Sequence, residues 1–125
     1  MKMKNLKISN ELLNYVFTDN LQSFKVDKIE NNTLYYFWLN EGFYGDESYC
    51  KWEKQNINIY EFAFKCKEWA YNDKSLCGYS IELKSYKSEF GYWLCELISE
   101  DITFSGDTEP EAIFAACQWI LDNRN

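Results

Sequence analysis

The chain has 125 residues, enough for one domain of ordinary size, with 46% hydrophobic residues to build a core. Its formal charge is −7, and only one of its 13 basic residues, Arg124, is an arginine. That balance argues against phosphate-backbone binding, which draws on Lys and Arg, and against bidentate guanine or phosphate recognition. There is no histidine, which removes the usual general base near neutral pH and the common Ser-His and Cys-His nucleophile pairs.

In chain order, Ser9 is placed to cap a short helix to about Phe17, with Leu12, Leu13, Val16 and Phe17 at helical spacing. Phe24 and Val26 alternate with Lys25 and Asp27 as in a strand. Asn31-Asn32 supplies the positive φ angles of a tight hairpin turn, and 33–39 reads as the return strand. Alternation then sets Tyr35, Phe37 and Leu39 on one face, with Tyr36 and Trp38 on the other. The segment 40–55, broken by Gly42, Gly45 and Asp46, is the least regular, with room for a short strand near 49–52.

Asn58 and Glu61 form a capping-box-like start. Ile59, Phe62, Ala63, Cys66, Trp69 and Ala70 then trace the clearest amphipathic helix. Tyr79, Ile81 and Leu83 alternate as a strand, 87–91 is a turn, and 92–98 is apolar on nearly both faces, as a central strand is. Residues 102–104 suggest another short strand. Thr108 and Glu111 make a second capping box, Pro110 lies in the first turn, and Ile113, Ala116, Cys117, Ile120 and Leu121 stripe a closing helix. The expectation is a single α+β domain over 1–125, an antiparallel sheet sandwiched by helices in the order α-β-β-α-β-β-(β)-α.

The stretches NIYEFAFKCKEWA (58–70) and TEPEAIFAACQWIL (108–121), with a Trp-bearing hairpin between them, resemble the phage ABA-sandwich domain over about 57–122. That resemblance implies helices packed around a sheet in a phage or mobile-element accessory protein, and brings no catalytic residue to this chain.

Chemistry is sparse in the sequence. No phosphate-binding glycine loop, nucleophile elbow, C-x-x-C or calcium loop is present, so no cofactor and no metal are expected. The five cysteines read as reduced thiols of a bacterial cytoplasm. No secretory leader and no membrane span are apparent. The enzyme alternative rests on Cys50 or on carboxylate pairs, Glu41 with Asp46 and Glu47, or Glu100 with Asp101. All of these read more simply as solvated loop residues.

One stretch stands out. Eight aromatics crowd 35–52 among carboxylates, and the types that dominate interface hot spots are Tyr and Trp. Tyr36, Trp38, Glu41, Phe43, Tyr44, Asp46, Glu47, Tyr49 and Trp52 are therefore the candidate partner-binding residues. Rings beside carboxylates suit a basic protein surface. The functional expectation is a non-enzymatic protein binder, in its narrowest form an anti-CRISPR-like inhibitor of a host defence protein. The alternative is a small-molecule site lined by the same rings. A homodimer is compatible with an aromatic surface, and oligomeric state is otherwise open.

Overall fold

The structure is a computed structural model that describes residues 6–17, 23–40, 51–72 and 81–123. The chain is α+β, as the patterns predict. Its strands divide between two three-stranded antiparallel sheets rather than joining one. The elements sort into two compact units, one within Ile8–Asn58 and the other within Ile59–Asn125.

In the first unit, α1 (Asn10–Phe17) precedes β1 (Phe24–Glu30), β2 (Thr33–Asn40) and β3 (Lys51–Asn58), with β2 central. Ser9 caps α1 as expected, its Oγ accepting from the Leu12 amide at 3.1 Å. Asn31 and Asn32 take φ of 52° and 60°, the left-handed pair that a two-residue hairpin requires. The irregular segment ends in a full eight-residue strand, β3, well beyond the short one expected. It is polar nearly throughout, which hid it from hydrophobic patterning.

The β1–β2 ladder contains a bulge. Lys28 pairs with Tyr35, but Val26 pairs with Tyr36, leaving Asp27 as the extra residue. Beyond it, Lys25 is opposite Phe37 and Phe24 is opposite Trp38. Helix α1 packs on β1, and Phe17 meets Phe24 and Tyr36 at ring-centroid distances of 5.2 and 5.3 Å. The face bearing Phe24, Tyr36 and Trp38 is thus the α1 side. The opposite face carries Lys25, Lys28, Tyr35, Phe37, Leu39, Trp52 and Lys54.

In the second unit, α2 (Ile59–Asn72) and α3 (Glu109–Asn123) pack together, and α3 covers the sheet of β4 (Leu83–Lys87), β5 (Trp93–Leu97) and β6 (Ile102–Gly106). Strand β5 is central, in keeping with its apolar run. Strand β4 runs to Lys87, so the turn begins later than the sequence suggests and closes at Gly91, whose φ of 94° suits glycine. Phe62 and Phe114, both buried, meet at 5.6 Å between the two helices. At the start of α3 the capping box is shifted by one residue. Thr108 Oγ1 accepts from the Glu111 amide at 3.5 Å, while Glu111 Oε2 accepts from the Asp107 amide at 3.1 Å.

Candidate functional site

Six of the nine candidate residues, Glu41, Phe43, Tyr44, Asp46, Glu47 and Tyr49, lie outside the described residues, as does Cys50. The other three are divided by the sheet. Tyr36 and Trp38 share the α1 side, and Trp52, opposite Leu39, lies on the other.

On the α1 side Tyr36 is half-buried in the Phe17–Phe24 cluster, and burial raises its phenol above its ordinary value. Trp38 remains 36% exposed. Phe24, Tyr36, Trp38 and Gln55 line a depression of about 240 Å³ there. Sheet pleating explains the split, since neighbours along a strand cannot share a face.

The opposite face combines rings with ammonium groups. Lys25 Nζ stands 4.0 Å from the centroid of the Trp52 ring, and Lys28 Nζ is 5.3 Å from that of Tyr35. Trp52 is 40% exposed, and Lys25, Lys28 and Lys54 are all exposed. Lys28 also pairs with Glu30 at 3.3 Å. Among the described residues Lys54 has no carboxylate partner. This part of the surface is therefore aromatic and basic, although the chain as a whole is acidic. The sequence reading missed this grouping because Lys25 reaches the face only through the bulge at Asp27, and Lys54 lies in the unforeseen length of β3.

A second polar cluster was not foreseen. Ser85 Oγ donates to Glu109 Oε2 at 2.7 Å and accepts from Lys67 Nζ at 3.0 Å, tying β4 to α3 and α2. Ser85 lies on the helix side of its sheet, opposite the buried Cys95. A hydroxyl held between a cation and an anion in this way serves as a polar staple across three elements. The signal available was Ser85 at a position of β4 with the same parity as the core residue Leu83.

The other sequence candidates among the described residues are accounted for locally. Asp101, at φ 54°, closes a turn in which its amide and that of Glu100 both donate to the Leu97 carbonyl. The thiols of Cys66, Cys95 and Cys117 are free and buried. Burial pushes the Cys95 thiol up to about 12, with Cys117 and Glu109 adding to the rise and Lys67 opposing it. Burial, together with Cys117, also holds Cys66 well above the ordinary thiol value. Protonated thiols in a core are poor nucleophiles. No group of three His, Cys, Asp or Glu side chains that could hold a metal occurs among the described residues. None of their helices is long and apolar enough to cross a membrane. Among known proteins, no family model, no curated protein and no solved structure matches the chain.

Proposed function

We propose that this chain is a non-catalytic accessory protein that acts by binding another protein through the β1-β2-β3 sheet. The observation that supports this most is Lys25 stacked over the exposed Trp52, beside Lys28 and Lys54, on the face opposite α1. Rings with nearby charges are the usual anchors of protein interfaces. A nucleic-acid reading is weaker. The chain carries a net charge of −7, and the faces of Trp52 and Tyr35 on which bases would stack are already taken by its own ammonium groups.

The charge of this face calls for an acidic contact on the partner. The basic contact expected from Glu41, Asp46 and Glu47 rests on the sequence alone, since those residues lie outside the described ones. A charged face of this kind fits selective recognition better than general adhesion, because wrong partners meet like charge. The narrower reading, an inhibitor of a host defence protein from a phage or mobile element, joins this binding mode to the resemblance over 57–122.

The test is capture from bacterial lysate with the whole chain as bait beside Trp52→Ala and Lys25→Glu variants. One dominant protein, lost with both variants and weakened by salt, is the expected result. An identical set captured by all three baits overturns this reading. A small-molecule site is the second reading and rests on the depression beside Trp38. At about 240 Å³ it falls below the usual range for ligand pockets.

A further inference from the structure

The two edges of the β1-β2-β3 sheet are treated very differently. Strand β1 is closed off. Asn14 Oδ1 accepts from the amides of Ser23 and Phe24, Asn14 Nδ2 donates to the Phe24 carbonyl, and Asn10 Oδ1 accepts from the Val26 amide at 2.7 Å. Two side-chain amides of α1 thus take the place of a neighbouring strand, and the bulge at Asp27 breaks the remainder of that edge. Bulges and covering elements are the standard protections of a sheet edge.

Among the described residues, strand β3 has neither a bulge nor a covering element, and its charged side chains Lys51 and Lys54 are the device it does carry. The strand pairs with β2 in unbroken register from Lys51 opposite Asn40 to Asn58 opposite Thr33. It contains no proline and no bulge, and six of its eight residues are exposed. Among the described residues, no hydrogen bond reaches the backbone of 51–57 from outside the β2 ladder. An open edge of this length is a template for one more strand.

We infer that the β3 edge accepts an extended acidic segment of a partner protein as a fourth strand, an inference that rests on the protein-binding reading above. Charge complementarity selects this occupant. On the face opposite α1, a fourth strand would lie beside Trp52, Lys54 and Asn56, with Lys25 two strands further in and its ammonium reaching back over the Trp52 ring. Carboxylates at alternate positions of the added strand meet these ammonium groups, while its backbone completes the ladder.

A second copy fits less well. In antiparallel pairing, opposite residues must share a face, so the longest self-registers centre on Lys54 or Gln55. The first sets Lys54 against Lys54, and the second sets Glu53 against Ile57.

The test uses the whole chain and fluorescently labelled capped octapeptides. One alternates glutamate and valine, one replaces glutamate with lysine, and two are acidic versions N-methylated on one or the other alternate set of amides. Anisotropy titration is expected to show saturable binding of the acidic peptide and at least about tenfold weaker binding of the basic one. It is also expected to show at least about tenfold loss on methylating one set of amides, with the other set tolerated, since an edge strand offers only alternate amides to its neighbour. Lys54→Glu is expected to weaken the acidic peptide by about tenfold.

No saturable binding of the acidic peptide, or equal effects of the two methylation patterns, overturns strand addition. The lysate capture described above then decides separately whether the protein-binding reading survives. A labelled oligothymidylate that binds more tightly than the acidic peptide also overturns the proposal. So does sedimentation showing a dimer that Lys54→Glu alters, because a second copy would then hold the edge.

Discussion

The carboxamide of Asn14 engages both backbone polar groups of Phe24. Its Oδ1 accepts from the Phe24 amide at 2.8 Å, and its Nδ2 donates to the Phe24 carbonyl at 2.7 Å. The same Nδ2 donates to the Asn10 carbonyl and the same Oδ1 accepts from Ser23, all with the residue fully buried. A buried amide satisfied on every side is costly to replace, because its partners are then left in the core without water. Asn14→Leu is expected to destabilise the protein by about 3 kcal/mol in urea unfolding. Asn14→Asp should cost a similar amount at neutral pH, since a carboxylate cannot donate to the two carbonyls. Part of that loss should be recovered at low pH, where the acid form regains one donor. An Asn14→Leu protein of unchanged stability would show that the network contributes nothing.

The hairpin gives the next prediction. Asn31 and Asn32, at φ 52° and 60°, sit where a Cβ is penalised and where asparagine and glycine are tolerated. Asn32→Gly is expected to leave stability within about 0.5 kcal/mol, and Asn32→Val to cost about 1–2 kcal/mol. Equal unfolding midpoints for the two variants would contradict the turn assignment.

This hairpin also shows how far sequence reaches. The turn chemistry of Asn31-Asn32 and the alternation of 33–39 are local, so the β1–β2 hairpin and the two faces of β2 were legible. A plain two-residue hairpin, however, sets Lys25 opposite Trp38, on the α1 side. The extra residue at Asp27 moves Lys25 opposite Phe37 and so onto the face of Trp52. A one-residue change of register reverses every facing beyond it, and nothing in the residues KVDKIE announces the bulge. Strand β3 escaped for a related reason. An exposed edge strand needs little hydrophobic alternation, so KWEKQNIN carries little of it. The helices α2 and α3 were legible because each buries a continuous apolar stripe, and the cap of α3 because Thr108 and Glu111 have capping-box spacing. Asn14 was not, because its partners are backbone groups nine or ten residues away.

Gly106 ends β6 against the first turn of α3. A Cβ added there would stand 2.6 Å from the Glu111 Cβ and 2.8 Å from the Ala112 amide nitrogen. The second neighbour is backbone and cannot rotate away, so the helix start itself must shift. Gly106→Ala is expected to destabilise by about 2 kcal/mol, measured as a lowered unfolding midpoint. By contrast, a Cβ at Gly91 would meet no atom within 4 Å, and its φ of 94° is the only objection to one. Gly91→Asn should therefore be tolerated better than Gly106→Ala, and the reverse order would refute the close approach at β6.

The buried thiols are expected to weaken the second unit in alkali. Burial pushes Cys95 up to about 12 and holds Cys66 well above the ordinary thiol value. Unfolded, both thiols lose their protons near about pH 8.5. Below that pH, folded and unfolded chains bind the same protons, and stability does not depend on these groups. Above it, the unfolded chain gives up protons that the folded chain keeps, so stability falls as pH rises toward 12. The expected slope is about 1.4 kcal/mol per pH unit for each such thiol. Urea midpoints at about pH 7.5, 9 and 10.5 should fall steadily for the wild type and less steeply for Cys95→Ala, whatever that variant costs through its small cavity. The difference in slope isolates the thiol from every other group, because the two proteins share all the rest. Parallel slopes would mean that Cys95 exchanges its proton with solvent in the folded protein, and that this part of the core opens readily.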